Sequence, residues 1–390
     1  MDFTLFKTMD ELLKEVPMQF KRYMYDKLPW GNRLVGVVGP RGVGKSTMLL
    51  QYVAEHKSEG LYLYVAADNL YFATHSMLDL AEDFIKEGGT DLFIDEIHKY
   101  KGWAVELKQI YDMHPSLKVV FTGSSILDIQ KGGADLSRRV LLYTMQGLSF
   151  REYLNFTQNL QMPTYTLQEI IENKVDIPSV RHPLPLFRKY LASGYYPFAQ
   201  EYGFDLRIQQ IVNQILDVDI PQFADMKVAT SRKLKQLLMV VSRLVPYKPN
   251  MENLAKEIGV SKNNIPDYFA YLEKAGLIGQ LRDETGGLRG LGKIEKVYLD
   301  NPSLMTVLSS NHPDIGNLRE TFFYNQMRVN NDVVASKQSD FAIGDYTFEI
   351  GGRKKGRRQI EDVPQGIIVK DDIEYGHGIV TPLWSYGVNY

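Results

Sequence analysis

The stretch GPRGVGKS at residues 39–46 follows directly on an apolar run, LVGVV at residues 34–38. The apolar run is typical of a buried strand, and the glycines allow the chain after it to turn tightly around a phosphate group. Successive backbone N–H groups then point at the phosphates, and Lys45 adds a positive charge. The order of strand, loop and apolar helix predicts a nucleotide-binding loop and disfavours a chance glycine-rich turn.

The residues of this loop and of the first helical turn are the candidate ATP ligands. They are Gly39, Pro40, Arg41, Gly42, Val43, Gly44, Lys45, Ser46 and Thr47. The hydroxyl of Ser46 is also the expected ligand of a Mg²⁺ ion that accompanies ATP.

Two carboxylates, Asp95 and Glu96, follow a second apolar run at residues 92–94. In an ATP-hydrolysing site of Walker type, Asp95 holds Mg²⁺ and Glu96 acts as the base on the water that attacks the γ-phosphate. Paired acids at a strand end are otherwise usually solvated turn residues. The phosphate-binding loop upstream disfavours that interpretation here.

A third apolar run leads into Ser124 and Ser125, whose hydroxyls we expect between the other two strand ends, near the γ-phosphate. Taken alone, this would be an ordinary junction of strand and turn. Five apolar runs alternate with helix-length segments, which predicts a largely parallel α/β sheet with helices on both faces. These runs are residues 34–38, 61–65, 92–94, 119–121 and 140–145. Ligands of such sheets bind at the carboxyl ends of the strands.

The order of these pieces resembles the AAA+ class of P-loop ATPases. The resemblance implies that residues 122–125 occupy the sensor 1 position and that Arg138 or Arg139 is the arginine finger. Such an arginine stabilises charge in the transition state, either from the same chain or from a neighbour. For either arginine taken singly, an ordinary surface residue is an equally good interpretation.

More narrowly, the motifs GPRGVGKST, LFIDEIHKYKGW, VVFTGSS, LSRRV and QGLSFREY resemble a family of prokaryotic AAA+ ATPases with a C-terminal domain of unknown function. The resemblance covers nearly the whole chain and is strongest over residues 1–155. It implies ATP and Mg²⁺ as cofactors.

The composition predicts a cytoplasmic protein of two or three domains, with 390 residues, 44% of them hydrophobic, and a net charge of −2. The absence of cysteine excludes disulfides and thiolate metal sites. No apolar run is long enough for a signal peptide or a membrane span, so we expect no membrane partner. The near-neutral charge disfavours a protein that coats nucleic acid, although local basic patches remain possible.

Four domains are expected along the chain. They are an AAA+ ATPase domain (1–155) with a lead-in helix at 10–26, a helical lid or connector (156–228), a winged-helix domain (229–300) and an α/β, restriction-endonuclease-like domain (301–390). The winged-helix prediction rests on helical patterns at 251–258 and 264–275 and on a glycine-rich hairpin at 286–292. Such a domain binds DNA or, with equal weight here, a protein partner.

The last segment resembles the PD-(D/E)XK nuclease fold, in which a helix Glu, a strand Asp and a Glu-x-Lys pair bind divalent metal. Glu320, Asp340 and Glu349 are the matching acids, but Gly351 stands where the lysine is expected. Lys354 is a candidate replacement from a later position. A degenerate site with merely solvated carboxylates is the favoured interpretation.

The run RKKGRR at residues 353–358 has five cations in six positions and is a candidate contact for a phosphate backbone or an acidic partner. A flexible charged loop is an equally ordinary interpretation. Together the motifs predict a Mg²⁺-dependent ATPase that acts as a nucleotide switch on DNA or a protein partner. The alternatives are an ATP-gated DNA nuclease of a defence system and a motor built as a homo-oligomer.

Overall fold

The computed structural model describes residues 3–124, 136–177, 180–226, 228–244, 246, 248–284, 292–309, 313–356 and 358–390. The chain divides into two compact units, which meet between Gln146 and Gly147. The division into four domains drawn from the sequence stays a prediction.

The first unit is built on a five-stranded sheet in which every neighbouring pair of strands is parallel. Its strands are β1 (Leu34–Gly39), β2 (Leu61–Ala66), β3 (Gly89–Asp95), β4 (Lys118–Ser124) and β5 (Leu141–Thr144). Their order across the sheet is β2-β3-β4-β1-β5. The parallel α/β sheet expected from the five apolar runs is therefore confirmed.

In the described residues of the first unit, four α-helices accompany the sheet. They are α1 (Phe3–Glu15), α2 (Lys45–His56), α3 (Met77–Lys86) and α4 (Trp103–Met113). The lead-in helix expected at residues 10–26 was placed wrongly, because α1 begins earlier and ends before Pro17. A residue that precedes proline is disfavoured in the α conformation, which accounts for the early end.

The core of the first unit lies between the sheet and its helices. Leu63, Leu92 and Phe121 come from three neighbouring strands and are fully buried together with Phe84 of α3 and Leu107 of α4. Strands buried in this way consist largely of continuous apolar residues, as β1 does over its length and β3 does at residues 92–94. The packing fixes the strand ends, and with them the loops that carry the polar motifs.

The second unit combines helices with a hairpin and a mixed sheet. Its helices are α5 (Phe150–Gln158), α6 (Leu167–Ile171), α7 (Leu184–Lys189), α8 (Phe204–Gln214), α9 (Ile220–Ala224), α10 (Val228–Leu244), α11 (Met251–Ile258), α12 (Ile265–Lys274), α13 (Pro302–Leu308) and α14 (Ile315–Met327). Its strands are β6 (Ile278–Arg282), β7 (Ile294–Leu299), β8 (Val333–Ala335), β9 (Phe341–Ile343), β10 (Tyr346–Gly351), β11 (Gly366–Lys370) and β12 (Val380–Pro382).

The mixed sheet has the order β12-β11-β10-β9-β8. Strands β10, β11 and β12 are parallel, whereas β9 is antiparallel to both of its neighbours. This second α/β sheet after the ATPase-like unit agrees with the expected fold class. Strands β6 and β7 form a separate antiparallel hairpin.

One hydrophobic core joins distant segments of the second unit. Ile170 and Phe187, from the predicted connector, belong to the same buried cluster as Phe322, Phe348 and Val388. The connector segment thus contributes to the packing of the unit that contains the C-terminal sheet. Its role as a lid stays a prediction.

The helices α11 and α12, the turn between them and the β6–β7 hairpin lie where the winged-helix pattern predicts them. Gly259 adopts a left-handed conformation at the end of α11, with φ of 65°. The tip of the predicted wing, residues 285–291, lies outside the described residues. In the described parts of the chain, no helix has both the length and the apolar character needed to cross a membrane.

Candidate nucleotide-binding site

The polar motifs of the first unit meet at the carboxyl edge of its sheet. Strand β4 lies between β1 and β3, and Ser124 at its end is paired with Gly39 at the end of β1. On the other side of β4, the register that pairs Ile94 with Phe121 puts Asp95 level with Thr122. The phosphate-binding loop, Ser124 and the two acids are therefore neighbours.

The loop requires glycine at three positions. Gly42 and Gly44 adopt left-handed conformations, with φ of 78° and 96°. A Cβ atom on Gly39 would stand 2.1 Å from the carbonyl oxygen of Met145. The backbone of Met145, just after β5, therefore leaves no room for a side chain where the loop begins.

Lys45 is the first residue of α2, and its side chain is buried. Its ammonium donates hydrogen bonds to the carbonyl oxygens of Gly39, at 2.9 Å, and Pro40, at 2.8 Å. An ammonium has three donors, so this arrangement orients the group and leaves a donor for a phosphate oxygen. Burial lowers the pKa of Lys45 to about 8, against the opposing effect of Glu96 and Asp95. A bound phosphate would reverse that shift, because it favours the charged form.

Asp95 is buried and held by two hydroxyl groups. Tyr64 of β2 donates to its Oδ2 at 2.7 Å, and the hydroxyl of Thr122 donates to its Oδ1. The hydroxyl of Tyr64 also lies near the side chain of Ser46, and burial followed by the charge of Asp95 raises the pKa of Tyr64, so it stays protonated. One tyrosine thus links the hydroxyl and the carboxylate that the sequence assigns to Mg²⁺.

Glu96 has a left-handed backbone conformation, with φ of 52°, and its N–H donates to the hydroxyl of Thr122 at 3.0 Å. Its carboxylate lies 3.3 Å from Nη1 of Arg41 and 3.5 Å from Nε2 of His98. His98 in turn accepts from the backbone N–H of Ser124 at 3.4 Å. The predicted base is therefore in contact with the phosphate-binding loop through Arg41 and with β4 through His98.

The two predicted finger residues lie away from this edge. Arg138 is exposed, whereas Arg139 forms a two-pronged pair with Asp112, at 2.8 and 3.0 Å. Both precede β5, whose first residue, Leu141, is level with Val35 at the start of β1. At about 3.3 Å per residue, Val35 lies about 13 Å from the carboxyl end of its strand. Neither arginine is at the phosphate edge of its own chain.

Ser125, the other predicted sensor hydroxyl, lies outside the described residues. Ser124 is buried at the end of β4, and Thr122 touches both acids directly. The sequence pattern missed Tyr64, His98 and Arg22. Arg22 is buried and donates to the carbonyl oxygens of Val43, in the loop, and Gln146. A signal existed for His98, which stands two residues after Glu96; none in the sequence linked Arg22 to the loop.

The hydroxyl of Ser46 and the carboxylate of Asp95 fit a Mg²⁺ ion, which proteins commonly bind through one or two carboxylates together with phosphate oxygens. Their shared neighbour Tyr64 is a neutral hydroxyl and leaves the charge of Asp95 uncompensated. Within the described ranges, no cluster of three or more His, Asp or Glu side chains forms a metal site by itself. A Mg²⁺ ion here would need the nucleotide as a further ligand.

The predicted nuclease-like residues fall into two contacts in the second unit. Glu320 of α14 and Asp340, which precedes β9, both contact the ammonium of Lys296. Glu349 in β10 contacts Lys355, whereas the proposed Lys354 is exposed. The nearby segment 353–358 is also largely exposed where it is described.

Comparisons with known families match two parts of the chain. Residues 31–154 match the family model of an AAA domain, and residues 184–314 match that of a domain of unknown function (DUF8612). The first match contains the loop, both acids and the predicted finger. The chain thus carries an AAA-type P-loop ATPase domain.

Among curated proteins, the uncharacterized protein MJ1637 of Methanocaldococcus jannaschii is 27% identical over 265 residues. The alignment covers 63% of this chain and 56% of that protein, so the chain spans little more than half the length of this relative.

Among solved structures, AMPPCP-bound DnaA from Aquifex aeolicus is 13% identical, with a TM-score of 0.26 and coverage of 70% of this chain and 89% of that one. The Hsp104–ADP complex of S. cerevisiae is 16% identical, with a TM-score of 0.30 and coverage of 68% and 38%. Likenesses at this level add nothing to the assignment.

Proposed function

We propose that this chain is a Mg²⁺-dependent ATPase that acts as a nucleotide switch on DNA or on a protein partner through its second unit. The observation that carries the proposal is the geometry at the carboxyl edge of the first sheet. There the buried Lys45, oriented by two carbonyl oxygens, lies near Asp95 and Glu96 at the end of β3, which only β4 separates from β1. This is the set of groups that phosphoryl transfer to water requires.

In the proposed reaction, the loop N–H groups and Lys45 bind the phosphates. When bound, Mg²⁺ supplies charge neutralisation at the phosphate oxygens, and Ser46 and Asp95 would hold it. Thr122 orients both acids, because its hydroxyl donates to Asp95 and accepts from the N–H of Glu96. Glu96 accepts a proton from the attacking water.

Arg41 connects nucleotide binding to the base. Its guanidinium lies 3.3 Å from the carboxylate of Glu96. A γ-phosphate offers this guanidinium a stronger anionic partner, since arginine pairs well with phosphate oxygens. We propose that Arg41 then releases Glu96, so that the base becomes available only in the nucleotide-bound state.

The arginine finger is proposed to act between chains. Arg138 is exposed, and its place near the start of β5 is incompatible with the phosphate edge of its own chain. Arg139 is engaged with Asp112 and is proposed to be structural. The working ATPase is therefore expected to be a homo-oligomer.

The second unit is proposed as the effector. Its winged-helix-like segment offers Lys262 at the start of the candidate recognition helix, although that ammonium is paired with Glu252 at 2.7 Å. A DNA phosphate would have to replace Glu252 as the partner of Lys262. Because the pair is exposed, breaking it costs little free energy. A protein partner remains the equal alternative, and the nuclease-like site is proposed to be degenerate.

The test is the rate of ATP hydrolysis with Mg²⁺, measured with and without DNA while the same samples are run for strand breakage. We expect hydrolysis that is lost in Lys45→Ala together with ATP binding, and lost in Glu96→Gln while ATP stays bound. Stimulation by DNA without breakage supports a DNA-coupled switch, and no stimulation points to a protein partner. DNA strand breakage that disappears in Asp340→Ala would contradict the switch and would support an ATP-gated nuclease.

A further inference from the structure

A lysine occupies the centre of the acidic pair in the second unit. The ammonium of Lys296, in β7, lies 2.9 Å from Oε2 of Glu320 and 3.2 Å from Oδ1 of Asp340. Both carboxylates are largely buried, with side-chain exposures of 19% and 18%. One cation therefore bridges two acids that come from a helix and from the start of a strand.

The remaining donors around the pair also come from the protein. Tyr298 donates to Oε2 of Glu320 at 2.9 Å, and the backbone N–H of Ile350 donates to Oδ2 of Asp340 at 2.9 Å. The ammonium of Lys296 thus stands between the oxygens that a metal would use.

The third acid, Glu349, also has a lysine as its charged partner. Glu349 contacts the ammonium of Lys355 and accepts from the hydroxyl of Ser339. The side chain of Lys355 crosses Gly351 so closely that a Cβ there would stand 2.6 Å from its Cγ. The space of the expected lysine at position 351 is therefore filled by a lysine four residues later, and the predicted replacement, Lys354, is wrong.

We propose that Lys296 replaces a divalent metal ion at the Glu320–Asp340 pair and that this ammonium keeps the pair free of metal. A divalent ion bound to the same oxygens would lie within a few ångströms of the ammonium, and the two positive charges would repel each other. The ammonium joins the β6–β7 hairpin to α14 and to the start of β9. The cluster is an ionic link inside the second unit rather than a metal-dependent cleavage site.

The experiment measures how many Mn²⁺ ions each chain binds. The EPR signal gives the free Mn²⁺, and the bound Mn²⁺ is the remainder of the total. The full chain is used, without added nucleotide. Wild type is compared with Asp340→Asn, Lys296→Met, and the double variant Lys296→Met with Asp340→Asn. Lys293→Met is the matched control, because this exposed lysine lies three residues before Lys296. Any Mn²⁺ bound in the first unit is common to all variants and cancels in the differences.

We expect wild type and Asp340→Asn to bind equal amounts of Mn²⁺. Lys296→Met should bind one more ion per chain, which the double variant loses and which Lys293→Met does not acquire. In EDTA, Lys296→Met should also melt at a lower temperature than wild type, and Mn²⁺ should raise that temperature again.

Two results would overturn the proposal. One is a Mn²⁺ ion that wild type binds and Asp340→Asn loses. The other is a folded Lys296→Met that acquires no additional ion. If Lys296→Met does not fold, the comparison of wild type with Asp340→Asn still shows whether the acidic pair binds Mn²⁺ in the wild-type protein.

Discussion

The affinity for ATP should fall as the pH rises above 8, because Lys45 must be charged to bind the phosphates. Burial lowers the pKa of this ammonium from 10.5 to about 8 in the nucleotide-free protein. Above that pH most molecules carry a neutral Lys45, and binding of ATP must be accompanied by uptake of a proton. Because this proton uptake costs free energy, the measured dissociation constant of ATP increases.

The magnitude follows from the same pKa. At pH 9, about one tenth of the molecules carry the ammonium, so ATP should bind about tenfold more weakly than at pH 7. Each further pH unit should cost about another factor of ten until the pKa of the nucleotide complex is reached.

The stability of the nucleotide-free protein should change in the opposite direction. A lowered pKa means that the folded chain loses this proton near pH 8, whereas the unfolded chain keeps it to 10.5. The unfolded chain binds more protons in this window, so the contribution of Lys45 makes folding more favourable as the pH rises. The full effect of such a shift is about 3 kcal/mol.

The assay is a titration with a Mg²⁺–ATP analogue by calorimetry between pH 7.5 and 9.5, accompanied by denaturant unfolding without nucleotide. Lys45→Met is the control, and any residual affinity that it keeps should show no comparable decline over this range. Wild-type affinity that stays constant up to pH 9.5 would refute the reasoning. An equal decline of the affinity for ATP in Lys45→Met would show that another titrating group causes the pH dependence.

Three further substitutions test the geometry of the site. Thr122→Val should lower the rate of ATP hydrolysis about 10- to 100-fold, because hydrogen bonds to charged groups contribute about 1.5–3 kcal/mol. Thr122→Ser is its control, since it keeps the hydroxyl and should hydrolyse ATP at close to the wild-type rate. Equal rates in the two variants would contradict the role of the Thr122 hydroxyl. Gly39→Ala should lower the rate about 100-fold, since the loop must move about 1 Å to relieve the 2.1 Å approach of Cβ to the carbonyl oxygen of Met145. Gly31→Ala, where a Cβ has open space, is its control. Finally, Arg138→Ala and Glu96→Gln should each be inactive, and an equimolar mixture should recover part of the activity; no recovery would exclude a finger that acts between chains.

Much of the first unit could be predicted from the sequence because its signals are local. Each strand contains a continuous apolar run, and the loop is a glycine-rich sequence that ends in Lys45 and Ser46. The end of α1 was misjudged because apolar spacing continues past Pro17, whereas the backbone restriction at that proline ends the helix.

The contacts that tune the site are not local and could not be predicted in this way. Tyr64 reaches Asp95 across 31 positions of sequence, and Arg41 reaches Glu96 across 55. Such pairs depend on the order of the strands in the sheet, which places β4 between β1 and β3. Lys355 was missed for a different reason, because it is close to Glu349 in the sequence but its side chain passes over Gly351 to reach that carboxylate, a path that the sequence pattern does not show.

The charge of the partner decides what each acidic site can do. Asp95 accepts from Tyr64 and Thr122, which are neutral hydroxyls that fix the carboxylate without cancelling its charge. Asp340 instead faces the ammonium of Lys296 at 3.2 Å, which it shares with Glu320. A carboxylate of the first kind can still attract a divalent cation, whereas one of the second kind already has a cationic partner that repels a further cation. Two clusters of acids in one chain are therefore expected to differ in function because of their donors, although the acids themselves look alike in the sequence.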